Sequence, residues 1–327
     1  MKSFFEFDNT FRTKNKYLLC GIDEAGRGPL AGPVVAAAVV LPVDCDIPEV
    51  RDSKKISEKK RNDLYKMIIK HALSIGIGVV HERKIDEINI LNATYVAMKQ
   101  AIGGISIKPH LFLIDGNPVP FSHIKHENII QGDNKSLSIA SASILAKVVR
   151  DDLMKRYSKV YPGYGFEKHK GYGTKNHLEK LKSLWATPIH RQSFKPVKNF
   201  LPGHDHYRNR RWLGKRGEQL AASSLIKLGN DILEMNYNVH GIGEIDIIHM
   251  EENEIVFTEV KTGYSGNRWG DPIDQIDINK RDRILETAEV FLSKNDYNAH
   301  VRFDVISVQF SGNIPKIKRI KRGLAID

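Results

Sequence analysis

Residues 18–28 constrain this chain more than any other stretch. Leu18, Leu19 and Ile22 run straight into two adjacent carboxylates, Asp23 and Glu24, and then into the turn Gly26-Arg27-Gly28. An apolar run of that length reads as a buried strand. Acids at the end of a buried strand repel each other and lose hydration, and a divalent cation is the commonest compensation. Neighbouring strand residues point to opposite faces, so Asp23 and Glu24 reach a common ligand only where the strand is ending. The glycines permit that break and let backbone N–H groups approach a ligand. The plainer alternative is a surface turn with solvated charges.

The rest of the first 200 residues alternates strands with helices. Spacing predicts strands over 17–22, 34–41, 73–80 and 110–114. Helices are predicted from Ser57 through His71 and over 88–102, 138–157 and 175–184; the helix over 138–157 has Ala140, Ala142 and Ala146 on one side. Such alternation implies an α/β sheet. From Pro196 to Arg211 the chain holds Pro, Gly, His, Asp, Asn and Arg with little apolar content, which is linker composition. A second, smaller α/β unit follows, with a helix over 213–228, strands over 232–239, 244–250 and 254–261, a helix over 280–294 and a strand over 302–309. The expected division is a first domain over 1–200, a linker over 201–211 and a second domain over 212–327. The basic run Lys316 to Arg322 is expected to be a mobile tail.

With 327 residues, 41% hydrophobic and 27% charged, the chain is ordinary globular material of two-domain length. The longest apolar run, Val34 to Val43, is broken by Pro42 and is too short to span a membrane. Acids at Glu6 and Asp8 interrupt the apolar core that a signal peptide needs, and Cys20 and Cys45 make no disulfide framework. The expected location is cytoplasmic, with no membrane partner. Residues 1–200 carry 32 Lys and Arg against 20 Asp and Glu, whereas residues 201–327 carry 18 against 19. The basic field of the first part attracts polyanions, nucleic acid first among them. Plain solubility charge is the alternative.

Asp115 ends its own strand, as Asp23 does, and Asp133 lies in Gly132-Asp133-Asn134-Lys135-Ser136, just before the long helix. Ligands of α/β sheets gather at strand carboxyl ends. Four acids without histidine or cysteine companions make an oxygen site, which selects Mg²⁺ or Mn²⁺ over zinc. Two such ions roughly 3.5–4 Å apart clamp both oxygens of an in-line phosphoryl displacement. Asp151 and Asp152 are rivals for the fourth place, in a helical run where solvated charge is the better reading. His169, His177 and His190 match no zinc spacing and read as surface or packing residues. The segment Gly26 to Gly32 lacks the Gly-Lys-Ser/Thr ending of a nucleotide-binding loop. A wholly non-catalytic nucleic-acid binder is the rival class, but a pure binder gains nothing from buried carboxylates facing phosphates.

The stretch Gly21 to Gly28, together with Asp52-Ser53-Lys54-Lys55, Ile114-Asp115-Gly116, Ser141 to Lys147 and His169 to Thr174, resembles bacterial ribonuclease HII over about residues 16–198. The resemblance implies an RNase H-like mixed sheet with flanking helices. It implies hydrolysis of RNA in RNA–DNA hybrids and incision 5′ of single ribonucleotides embedded in duplex DNA, by two-metal-ion catalysis with Mn²⁺ or Mg²⁺, leaving 3′-hydroxyl and 5′-phosphate ends. On this resemblance Asp23, Glu24, Asp115 and Asp133 are the metal-binding acids. Gly26, Arg27 and Gly28 meet the 2′-hydroxyl, the one group that tells RNA from DNA at a site. Tyr172 stacks on the sugar at the DNA side of the junction, and Lys54 and Lys147 contact phosphates, which positions the duplex without reading sequence.

In the second unit Gly243-Glu244-Ile245-Asp246 is followed by Phe257-Thr258-Glu259-Val260-Lys261. Glu259 and Lys261 are two apart, so they share a strand face, and Asp246 lies on the preceding strand. Two acids can hold a metal while a lysine orients water or stabilises charge, and Glu218 can add a ligand. The alternative is a hairpin with cross-strand ion pairs. The arrangement resembles the PD-(D/E)xK nuclease core, with Ile245 where that motif has proline. Residues 214–309, through Gly217-Glu218, Asn236 and Arg302-Phe303-Asp304-Val305 as well, resemble the YraN family. That resemblance implies a restriction-endonuclease-like fold and a second metal-dependent nuclease. The alternative function is a non-catalytic DNA-binding or docking module.

Overall fold

The computed structural model of the protein describes residues 3–12, 17–47, 50, 56–264, 278–311 and 314–323. Packing separates two compact units: Met1–Met154 with His169–Lys175 and Ile189–Lys198, and Lys155–Lys168 with Asn176–Pro188 and Asn199–Asp327. A cut by chain order near residue 200 differs from this one. Two earlier stretches find partners in the second unit: the Tyr161 hydroxyl meets Ser223 Oγ at 2.7 Å, and Arg216 Nη2 donates to Ala186 O at 2.8 Å.

The first unit is built on strands β1 (Leu19–Ala25), β2 (Val34–Val40), β3 (Ser74–Val80), β4 (Leu111–Asp115) and β5 (His126–Ile129), in the spatial order β3-β2-β1-β4-β5. β1, β2 and β3 pair antiparallel, while β1, β4 and β5 run parallel. The helices up to residue 198 are α1 (Phe4–Asn9), α2 (Glu58–His71), α3 (Glu82–Gly103), α4 (Leu137–Val160), α5 (Phe166–His169), α6 (Lys175–Leu184) and α7 (Lys195–Lys198). Strand β2, Val-Val-Ala-Ala-Ala-Val-Val, is apolar throughout because both of its faces are buried. Val34, Ala36, Ala38 and Val40 join a core with Ala97 and Met98 of α3, and Val35, Ala37 and Val39 join another with Leu64 of α2 and Leu145 of α4. Glycines set the closest approaches. A Cβ at Gly76 or Gly78 would run into carbonyls of α3, and one at Gly21 would strike the α4 backbone at Ser138.

Helix α1 has too few turns to show a period, and its role lies far along the chain. Its Asp8 accepts hydrogen bonds from Ser136 Oγ at 2.5 Å, Ser138 N at 2.9 Å and Ser138 Oγ at 2.6 Å. A buried carboxylate there satisfies orphan donors at the start of α4 and complements its dipole.

The second unit holds α8 (His204–Arg208), α9 (Arg210–Lys227), β6 (Asp231–Val239), β7 (Gly243–Glu251), β8 (Glu254–Tyr264), α10 (Ile278–Lys294), β9 (His300–Ser311) and β10 (Ile314–Ile320). Its sheet runs β10-β9-β8-β7-β6, with β8 and β9 parallel and the other pairs antiparallel. Helix α10 packs Ile284, Ala288 and Phe291 against Phe257 and Phe303.

Two expectations give way here. The segment 201–211 is not plain linker: it carries α8 and the start of α9, where Asn209 Oδ1 accepts the Trp212 N–H at 3.0 Å. The basic run Lys316 to Arg322 is not a free tail but forms most of β10, paired along β9. Its charge has a partner inside the protein. Asp304, fully buried, takes Arg319 Nε at 2.9 Å and Arg302 Nε at 2.9 Å, and Arg319 Nη2 reaches Glu251 at 2.8 Å. Arg319→Ala should therefore lower stability by about 2–3 kcal/mol in denaturant melts followed by tryptophan fluorescence, because a buried carboxylate loses a partner. A midpoint unchanged from wild type would return β10 to the status of a dispensable tail.

Candidate active site

In the parallel pair β1–β4, Ile22 lies opposite Ile114, so Asp23 and Asp115 follow side by side at the carboxyl ends of two central strands. Asp23 is 5% exposed; its Oδ1 accepts the Glu24 N–H at 2.7 Å, and the Ser143 hydroxyl of α4 also bonds to it. Asp115 Oδ1 accepts the Gly132 N–H at 2.6 Å, which ties the end of β4 to the 3₁₀ turn Gly132–Asn134 carrying the buried Asp133. Burial pushes the Asp23 carboxyl well above the usual range, and the charges of Glu24 and Asp115 push it further. Glu24 is raised by burial too, against the pull of Arg27, whose Nη1 lies 3.2 Å from Oε1. The structure thus brings Asp23, Glu24 and Asp115 together and holds Asp133 on the turn bonded to Asp115. Among the described residues no three His, Cys, Asp or Glu side chains are arranged so that they could by themselves hold a metal ion. The fit to a hard divalent cation rests on an all-oxygen donor set with excess negative charge.

Beside these acids runs a groove of about 400 Å³ whose walls include Glu24, Gly26, Arg27, Gly28, Arg61, Ser143, Lys147 and Tyr172. Gly26 has φ 97°, and a Cβ there would meet Arg150 and the Pro33 carbonyl. Two fully buried guanidinium groups, absent from the sequence argument, hold this loop by its carbonyls. Arg191 donates to Gly26 O at 2.5 Å, Arg27 O at 2.9 Å and Gly32 O at 3.0 Å. Arg150 donates to Pro33 O at 2.9 Å and Ala31 O at 3.1 Å. Burial lowers Arg150 to about 10 and Arg191 to about 9, so both stay charged near neutrality. No local pattern marks these arginines, because the carbonyls they bind lie more than 100 residues away.

Tyr172 is 44% exposed, on a loop fixed by Leu30 N–H donating to Gly171 O at 2.8 Å. Lys147 Nζ and Arg150 Cζ each lie 5.9 Å from its ring centroid, within cation–π range. Lys147 also pairs with Asp151 at 2.7 Å. Asp151 is therefore buried and ion-paired rather than solvated, whereas Asp152 is exposed as expected. His177 and His190 are buried packing residues. Lys54 lies outside the described residues.

In the second unit Ile247 pairs with Thr258, which sets Asp246 across from Glu259. Asp246 Oδ2 accepts the Val260 N–H at 2.6 Å, and Lys261 Nζ lies 3.0 Å from Glu259 Oε1. Glu218 of α9 accepts from Asn236 Nδ2 at 2.8 Å. Burial raises Asp246 to about 7, with Glu259 and then Glu218 adding repulsion. All four predicted residues converge. Sequence reasoning missed Lys280 of α10, which also bonds to Glu259.

A mixed sheet with carboxylates at the carboxyl ends of its central parallel strands, beside a basic groove, defines a nuclease of the RNase H-like class. Known proteins agree. The family Ribonuclease HII matches residues 20–197, and the uncharacterised protein family UPF0102, the YraN family, matches residues 217–308. The ribonuclease HII of Ligilactobacillus salivarius is 55% identical over 183 residues, 56% of this chain and 71% of that protein. That of Clostridioides difficile is 53% identical over 195 residues (60% and 76%), and that of Bacillus subtilis 50% over 194 (59% and 76%). The ribonuclease H2 structure from Pyrococcus horikoshii aligns with a TM-score of 0.49 and 24% identity, covering 59% of this chain and 100% of that one. The chain belongs to the ribonuclease HII family, divalent-metal-dependent endonucleases of the ribonuclease H type.

Arg191→Met should cost about 3 kcal/mol in thermal melts, since it strands several buried carbonyls. Ribonuclease turnover of the folded variant should fall by about tenfold or more, because the loop beside the acids loses its position. Full turnover in a folded Arg191→Met protein would show that the loop holds itself.

Proposed function

We propose that the first unit hydrolyses RNA strands paired to DNA and incises 5′ of single ribonucleotides embedded in duplex DNA, leaving 3′-hydroxyl and 5′-phosphate ends. The observation that carries this reading is the convergence of Asp23, Glu24 and Asp115 beside the Gly26-Arg27-Gly28 groove. Those acids, with Asp133, would hold Mg²⁺ or Mn²⁺. Divalent cations bound there would activate water and neutralise charge on the departing 3′-oxygen. Asp23 and Asp115 are kept in orientation by the Glu24 and Gly132 N–H groups. Gly26 and Gly28 present backbone without side chains, which suits contact with a 2′-hydroxyl. Tyr172 offers an exposed ring to the sugar on the DNA side of the junction, and Lys147 and Lys54 would bind phosphates. Action on chromosomal DNA fits a cytoplasmic location.

The test is a duplex with one ribonucleotide, incubated with Mg²⁺ or Mn²⁺. Wild type should cut once, on the 5′ side of that nucleotide. Asp115→Asn should slow the cut by at least about a hundredfold without changing the melting temperature. Tyr172→Ala should lower kcat/KM by about tenfold, the worth of a lost stacking contact. Full activity in Asp115→Asn would sink the assignment.

For the second unit we propose a restriction-endonuclease-like domain with a second metal-dependent nuclease site of Glu218, Asp246, Glu259 and Lys261. The buried, raised Asp246 facing Glu259 and Glu218 supports it. A non-catalytic DNA-binding or docking module is the alternative, since the near-zero net charge of residues 201–327 does not favour catalysis on a polyanion. In an Asp115→Asn background, Lys261→Ala should abolish any residual cutting of plain, flapped or branched DNA while binding persists. Cutting that survives Lys261→Ala would remove this site from the reaction.

A further inference from the structure

The second carboxylate cluster contains its own competitor for a cation. Glu259 is 3% exposed, and one of its oxygens, Oε1, takes both the Lys261 ammonium at 3.0 Å and the Lys280 ammonium. Its other oxygen, Oε2, is buried without a hydrogen-bond partner. Asp246 and Glu218 add negative charge close by, and Lys280 itself feels the charge of Asp246 as well as that of Glu259. Among the described residues, three ionised carboxylates and two ammonium groups would leave the cluster one unit negative. Without Lys280 it would be two units negative, the charge that a divalent cation matches.

The two lysines are not equivalent. Lys261 sits on β8 with its side chain 19% exposed, whereas Lys280 reaches in from the first turn of α10 with 41% exposed. Two ammonium groups on one oxygen repel each other. Of the two, Lys280 is the more exposed, on a flexible four-carbon stem that can carry its charge toward water. A hard cation approaching Glu259 and Asp246 competes for the oxygen that Lys280 covers, and the orphaned Oε2 beside it is available to complete the coordination.

We infer that Lys280 is a built-in counter-ion of this cluster, seated on Glu259 in place of a divalent cation and displaced when one binds. The inference rests on the metal-site reading of Asp246 and Glu259 given above. It makes metal occupancy of the second unit weaker than Asp246 and Glu259 would support without it.

The experiment is Mn²⁺ binding, read by electron paramagnetic resonance of free Mn²⁺, on the full chain carrying Asp115→Asn to weaken the first cluster. Three further variants are compared in that background. Asp246→Asn should remove one Mn²⁺ site. Lys280→Ala should tighten that same site by about tenfold or more, since a competing unit charge leaves. Lys280→Arg, which keeps the charge, should bind no tighter than the parent. If Lys280→Ala melts early, Lys280→Gln repeats the measurement with a neutral side chain of similar reach. Loss of the site in Asp246→Asn with unchanged or weaker binding in the neutral Lys280 variants overturns the counter-ion and leaves the metal site standing. No loss in Asp246→Asn overturns the metal-site reading itself, and the counter-ion with it.

Discussion

Repulsion between carboxylates brought together on neighbouring buried strands is the interaction around which both sites are arranged. A parallel β1–β4 pair delivers Asp23 and Asp115 to one edge, and the antiparallel β7–β8 pair delivers Asp246 and Glu259. Backbone amides bond three of these acids: Glu24 N–H on Asp23, Gly132 N–H on Asp115 and Val260 N–H on Asp246. Such bonds to charged acceptors contribute roughly 1.5–3 kcal/mol each. These amide bonds orient Asp23, Asp115 and Asp246 without cancelling their charge. The neighbouring packing protects that geometry. Gly21 lets α4 lie against β1, and Asp8 fixes the start of α4 through Ser136 and Ser138.

The second constraint in the first unit is the loop after the acids. A left-handed Gly26 and the carbonyls of residues 26–33 would be floppy if left to water. Instead Arg150 and Arg191 thread beneath them, each a rigid fork that bonds several carbonyls at once. Charge buried in this way is costly, which is why both guanidinium groups are pulled below their ordinary values. The result is a floor of fixed backbone under the groove, with Tyr172 and Lys147 along its wall. A side-chain-poor surface next to acids is what a 2′-hydroxyl and its phosphate would need, since both must approach closely.

What was legible in the sequence was local. Apolar runs ending in Asp23 and Asp115, the small residues of α4 and the two-residue spacing of Glu259 and Lys261 each carry their meaning within a few positions, and the structure brings those residues where the spacing put them. What escaped depends on partners far along the chain. The basic run of β10 looks like a solvated tail until Glu251, 68 residues from Arg319, comes beside it. Asp151 looks solvated until Lys147 and Arg61 face it. Asp8 acts on Ser138, 130 residues away, and Arg191 on Gly26, 165 residues away. Helix α8 was hidden by a composition that suits a linker, although Asn209 after it is an ordinary cap for α9.

Charge distribution separates the two units more sharply than net charge does. In the second unit four basic side chains are engaged internally: Arg302 and Arg319 on Asp304 and Glu251, Lys261 and Lys280 on Glu259. Ion pairs of this kind hold geometry but leave little long-range field. The first unit keeps its basic excess on the outside, where it can draw a polyanion from a distance and hold it by its phosphates. A nucleic acid would therefore meet the first unit by long-range attraction. It would meet the second through a weaker field and mainly by short-range contacts made after arrival.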